Sequence, residues 1–268
     1  MTNTIKNSFS TGALPSYKKP PVNEVVCGLR FETPHKLLIP HIGFLWEQLR
    51  TDYPNIQHAP PIVSAKGELL IDQAIGMPLP RVWFINKTDD QLIQFQGDRF
   101  YFNWRRRQSD YPRYNHVITH FEKARNAIEK MFSKFELGEL KPIEYELNYI
   151  NHIPKGQGWD NIDDLPKIFS DFAWKPTKER FLPNPESITW QTVFPLPNKQ
   201  GHLIVSLKQA TRTEDKVPLL VLELKTLGIV DSKNKDAVRE FFDLSHEWIV
   251  RGFTDLTTLK IQKIWERE

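Results

Sequence analysis

Four arginines and a tyrosine crowd the stretch Arg99 to Arg107, and Arg113 follows shortly after. In an extended chain, Arg99, Tyr101, Asn103 and Arg105 share one face, while Phe100, Phe102 and Trp104 share the other. The aromatic face suits packing beneath a helix. The polar face presents planar guanidinium forks, which grip phosphates, and a phenol that stacks on bases. Arg99, Tyr101, Arg105, Arg106, Arg107 and Arg113 therefore form a candidate surface for single-stranded nucleic acid. The glycine pattern of a true RNP1 strand is missing. The competing reading pairs these arginines with nearby carboxylates such as Asp98 and Asp110.

The histidines offer a second chemistry. His116 and His120 lie four residues apart on a predicted helix, a spacing that puts two imidazoles on one face for a shared metal. No third ligand is evident, so no metal or other cofactor is assigned. Asp243 and His246 form a similar helical pair, in which a carboxylate orients an imidazole for base work. His152, at a strand end beside Asn148 and Asn151, makes a polar cluster that either binds a ligand or satisfies backbone groups. Cys27 sits among valines on an alternating strand and reads as a small buried hydrophobe.

Catalytic signatures are otherwise missing. The chain has no G-x-x-x-x-G-K-[ST] phosphate loop, no G-x-S-x-G elbow and no H-E-x-x-H helix. Twelve glycines leave little material for dinucleotide loops, and no G-x-G-x-x-G occurs.

The elements that must position these residues follow from periodicity. Residues 1–20 read as a flexible arm ending in Lys18-Lys19-Pro20-Pro21. A strand at Val22–Phe31 precedes a helix from His41 to about Tyr53, then a short strand around Glu68 to Ala74. Three strands separated by short turns follow at Arg81–Asn86, Gln91–Gln96 and Arg99–Trp104, an antiparallel meander. A long helix runs from about Pro112 to Glu136. The order then repeats: a strand at Ile143–Ile153, a short helix at Ile162–Phe172, strands at Ile188–Phe194, His202–Ala210 and Leu219–Leu227, and a long helix from Asp236 to about Phe253. Asp255 can cap a last helix. Trp83 and Trp190 hold similar places in the two repeats.

The expected fold class is α+β: two similar halves, 21–138 and 139–268, each strand, helix, three strands, helix. They form two domains or one shared core. A mainly antiparallel curved sheet with the long helices on one side is expected. That order matches TATA-binding-protein-like and helix-grip architectures, an analogy that carries no function.

Composition narrows the class. The 268 residues are 40% hydrophobic and 26% charged, enough for a real core. The net charge of +3 is too mild to imply nucleic acid on its own. A single cysteine excludes an internal disulfide and suits a reducing cytoplasm. No apolar run reaches the ~18 residues of a membrane helix, and the N-terminus lacks a signal core.

Several stretches together resemble an uncharacterised bacterial family of sporadic distribution. They are residues 20–26, 41–46, 80–84, 92–100 with 103–105, 111–114, 146–153, 246–250 and 253–258. The resemblance spans nearly the whole chain after residue 14. It implies a prokaryotic protein and an accessory-gene setting, such as a defence or toxin–antitoxin system. It brings no catalytic residues.

The leading expectation is a non-catalytic protein that recognises a protein partner. The alternatives are a single-stranded nucleic-acid binder using the arginine strand, and a small-ligand sensor or enzyme with a pocket between the halves, built around His152, Asp243 and His246.

Overall fold

The computed structural model describes residues 12–63, 70–74, 76–230 and 235–268. The chain is α+β. In chain order the strands are β1 (Val22–Phe31), β2 (Asn55–Ala59), β3 (Ile71–Asp72), β4 (Met77–Pro78), β5 (Arg81–Ile85), β6 (Gln91–Gln96), β7 (Arg99–Arg105), β8 (Pro142–Pro154), β9 (Thr189–Pro195), β10 (Gly201–Thr211) and β11 (Pro218–Gly228). The helices are α1 (Ile39–Leu49), α2 (Tyr114–Lys134), α3 (Leu165–Ile168), α4 (Lys235–Leu256) and α5 (Leu259–Ile264). Nine strands make one antiparallel sheet in the order β2-β5-β6-β7-β1-β8-β11-β10-β9. Strands β3 and β4 form a separate pair.

Strand alternation divides the sheet into two unlike faces. On β1, Val25, Cys27, Leu29 and Phe31 are buried toward the helices, joined by Phe100, Phe102 and Trp104 of β7 and Tyr145, Leu147 and Tyr149 of β8. Helix α2 lies on β1 and β7, and α4 lies on β8, β10 and β11. Their apolar stripes meet: Phe121 of α2 meets Phe242 of α4 edge to face, ring centroids 5.0 Å apart. Each large apolar side chain taken out of water contributes roughly 1.5–3 kcal/mol. One hydrophobic cluster holds residues from both 21–138 and 139–268.

The opposite face is polar. It carries Gln94, Tyr101, Gly28, Glu146 and His202 along one row, and Glu24, Arg105 and Glu223 along another.

Several elements differ from expectation. Helix α1 starts at Ile39, because Pro40 needs no N–H bond in the first turn. It ends at Leu49, where Tyr53 turns back to bond the Leu49 carbonyl and buries its ring. Strand β2 escaped the sequence reading because its Asn-Ile-Gln-His-Ala pattern is that of an exposed edge strand with no apolar face. The strand expected at Glu68 to Ala74 lies partly outside the described residues and contributes only β3. The helix expected at Ile162–Phe172 is a 3-10 turn at Ile162–Asp164 followed by the single turn of α3. Thr258 caps α5 in place of Asp255, accepting from the Ile261 N–H. Trp83 and Trp190 are not equivalent. Trp83 pairs with Gln94 on the polar face, while Trp190 pairs with buried Leu207 and touches Phe172 on the helix side.

The expected flexible arm also needs correction within its described part. Tyr17 is 5% exposed and packs against Phe253 and Trp265. The backbone of Lys18 and Lys19 bonds the carbonyls of Glu266 and Trp265, so residues 17–19 are tied to the chain's other end. Residues 1–11 lie outside the described residues.

Candidate functional site: a cavity between the long helices

A cavity of about 530 Å³ opens where α2, α4, the docked arm and the sheet centre meet. Its apolar wall comes from Leu14, Val22, Leu224, Ile249, Val250 and Phe253. Both halves contribute: Tyr111, Arg113 and Tyr114 come from the entry to α2, while Tyr149, Arg239, Asp243 and His246 come from β8 and α4. Residues 239, 243 and 246 recur at helical spacing, which places all three on the face of α4 that meets α2.

Two polar chains cross this wall. The Tyr111 and Tyr149 hydroxyls lie 2.6 Å apart, and the Tyr149 hydroxyl continues to Nδ1 of His246 at 3.1 Å. Separately, the Tyr114 hydroxyl donates to Oδ1 of Asp243 at 2.7 Å, and Nε of Arg239 donates to the same oxygen at 3.0 Å. The imidazole of His246 stacks on the Tyr114 ring and joins the two chains. Burial pushes the His246 pKa down to about 4 despite the nearby carboxylates of Asp243 and Glu247, so the ring is neutral at pH 7. Burial also raises the phenols of Tyr111, Tyr114 and Tyr149, so all three are protonated.

Asp243 and His246 are thus neighbours without being the expected pair. The carboxylate oxygen serves Tyr114 and Arg239, and the imidazole nitrogen faces Tyr149.

Arg113 sits at the mouth with φ 75° and ψ 161°, backbone that glycine adopts far more readily. Its Nη1 donates to the Tyr17 carbonyl at 3.0 Å, which ties the strained residue to the arm.

The other arginines do not join one surface. Arg99 is 8% exposed and forks onto Asp98, with bonds of 2.8 and 2.7 Å. Arg105 and Arg107 share Asp89, and Arg106 bonds the carbonyls of Val22 and Pro20. Asp98 is therefore a partner as expected, while Asp89 takes the role given to Asp110. Tyr101 lies on the polar face over Gly28, its phenol raised by burial to about 12.

His116 and His120 do face each other, with ring centroids 4.2 Å apart. His120 stacks on Phe102 and bonds the Tyr53 hydroxyl at 3.0 Å. Among the described residues no group of three potential ligands assembles. The cluster expected around His152 is divided by the pleat: His152 and Asn148 point to the polar face, while Asn151 lines the cavity and donates to the Leu222 carbonyl. Cys27 is fully buried, and burial raises its thiol well above the ordinary range.

Asn151 was named from sequence beside His152, whereas Tyr111, Tyr114, Tyr149 and Arg239 were not singled out. The helical spacing of Arg239, Asp243 and His246 is the signal that points to the last of them. The tyrosines come from separate elements and meet only through the fold. No family model, no curated protein and no solved structure matches the chain.

Proposed function

We propose that the chain is a non-catalytic binding protein whose cavity holds a small amphiphile. The apolar body lies against Leu224, Ile249 and Phe253, and an anionic head meets Arg113 at the mouth. The observation that carries this is the cavity itself. Its 530 Å³ lies within the roughly 300–1,000 Å³ of ligand pockets, and its wall is mainly apolar with a few fixed polar groups. Catalysis fits less well: Asp243 is held by Tyr114 and Arg239, and the hydroxyl beside His246, that of Tyr149, is kept protonated by burial.

The arrangement is consistent with a duplicated unit of the TATA-binding-protein-like kind. Strands β1 and β8 pair at the centre, β7 and β11 flank them, β6 and β10 come next, and α2 and α4 cover one face. In that reading the cavity is the seam between the copies. The bonds already held by Arg99, Arg105, Arg106 and Arg107 weigh against the nucleic-acid reading, because a phosphate needs an open fork.

Isothermal titration with sodium decanoate tests the proposal. One-to-one binding at roughly micromolar affinity is expected. Absence of heat up to about millimolar ligand would retire it.

A further inference from the structure

The large sheet ends in two edge strands, β2 and β9, and they are unlike. Strand β2 has five residues and runs into Pro60-Pro61, two features that blunt an edge. Strand β9 has seven residues and pairs with β10 in unbroken register, without a bulge. Residues 187–198 hold no charged side chain, so β9 also lacks the lysines that guard many natural edges. Pro195 stands only at its last position. Val193 and Phe194 are exposed along it.

The phase of the ladder fixes what this edge offers. The Leu196 N–H bonds the Gly201 carbonyl, and the Gln209 N–H bonds the Ile188 carbonyl. In an antiparallel ladder such bonded pairs recur at every second residue. Trp190, Thr192 and Phe194 therefore turn their backbone groups to β10. Thr189, Gln191 and Val193 turn theirs outward, and among the described residues no strand lies beyond them. A row of donors and acceptors in that order fits an added strand.

We propose that β9 pairs antiparallel with β9 of a second copy of this chain, about a two-fold axis at Thr192. Hydrogen bonding is self-complementary in that register. Gln191 meets the second copy's Val193 in a doubly bonded pair, which occurs twice, and Thr189 meets the second copy's Pro195 in a single bond at each end. The total is roughly six bonds, and the missing proline N–H falls only at the ends. Side chains match too. Trp190 and Phe194 lie on the helix side with buried Leu207 and Leu203, so each Trp190 faces the second copy's Phe194 in a cross-strand aromatic pair. The charges agree as well. The formal charges nearest β9 in the chain are Glu186 before it and Lys199 after it, both exposed. Antiparallel pairing sets each Glu186 end beside the second copy's Lys199 end, whereas parallel pairing sets like beside like. Such an interface is isologous and closes at two subunits. It stands apart from the ligand reading of the cavity, because no residue of β9 lines that cavity.

Sedimentation velocity of the full chain across the micromolar range is the test, and a dimer is expected. Gln191→Lys with Val193→Lys sets ammonium groups opposite each other and should weaken the dimer by about 10-fold or more. Gln191→Lys with Val193→Glu sets opposite charges there and should restore it. Under mild oxidation Thr192→Cys should cross-link to its own copy, because a pair on the axis has Cα atoms about 4.5 Å apart, within disulfide reach. Gln191→Cys lies a diagonal away from its own copy and should stay uncross-linked. Cys27 is buried and leaves the background clean. Circular dichroism checks that each variant is folded. A monomer at every concentration overturns the proposal, as does a dimer that the two-lysine variant leaves unchanged. Equal cross-linking of the two cysteine variants overturns it too. Polymers that grow with concentration also overturn it, in favour of β9 adding to the β2 edge of the next copy.

Discussion

The imidazole of His246 lies flat on the phenol of Tyr114, ring centroids 4.2 Å apart and planes within 5°. This stack joins α4 to the first turn of α2 and forms part of the cavity wall. Tyr114 also holds Asp243. Tyr114→Phe should keep the stack and lose the bond to the carboxylate, costing about 1–2 kcal/mol. Tyr114→Ala should lose both and cost about 3–5 kcal/mol. Urea unfolding of the two variants gives the comparison, and equal losses would mean that the stack contributes nothing.

The same histidine makes an acid-sensitive joint. Its folded pKa, about 4, is below the ordinary value near 6.5. A depressed pKa contributes stability that is present above about pH 6.5 and is lost as pH falls through about 4. His120, also pushed to about 4 by burial, acts in the same direction. Stability should decline from pH 6.5 to 4, with His246 supplying up to about 3 kcal/mol of the change. His246→Phe should show a shallower decline in chemical unfolding measured across that range.

Much of the frame was legible from the chain, and particular residues show why the site was not. Alternation in 22–31 and 99–105 placed Val25, Cys27, Phe100 and Phe102 on the core face, because side-chain direction in a strand is a local property. The stripe of Val117, Phe121 and Ile128 marked α2 for the same reason. The partners of Arg99 and His246 depend on contacts across the fold. Asp98 is adjacent in sequence and was named. Asp89 meets Arg105 through a turn, and Tyr149 meets His246 across nearly a hundred residues, so neither pairing has a local signal. The arginine run looked like a binding strand because its composition was visible and its bonds to Asp89 and to the Val22 and Pro20 carbonyls were not.

On the polar face, Glu146 responds to pH in the opposite sense to His246. Burial raises its pKa to about 6, so ionising it costs stability. A raised pKa contributes stability that is present below the ordinary glutamate value and is lost as pH rises through about 6. Glu146→Gln should therefore stabilise the protein by about 1–2 kcal/mol at pH 8, with the gain vanishing below about pH 4.5. Thermal unfolding of both proteins at the two pH values measures it, and a variant less stable at pH 8 would contradict it.

Gly28 and Tyr101 make a coupled pair across β1 and β7. A Cβ on Gly28 would collide with the Tyr101 ring, which lies over the glycine. Gly28→Ala should cost about 1–3 kcal/mol by forcing the ring aside. In a Tyr101→Ala background the same change should cost less than about 1 kcal/mol, a coupling that a double-mutant cycle reads directly. Additive losses would place the clash elsewhere.

The most direct test of the cavity as a binding site is a titration with anilinonaphthalene sulfonate, an apolar body with an anionic head, on the native protein and on Val250→Trp. The larger ring should fill the space beside Ile249 and Phe253. The account predicts saturable one-to-one fluorescence enhancement that decanoate displaces, and loss of that signal in Val250→Trp with its near-ultraviolet circular dichroism signature of native packing retained. Enhancement of the same size in both proteins, or no enhancement in either, would contradict it.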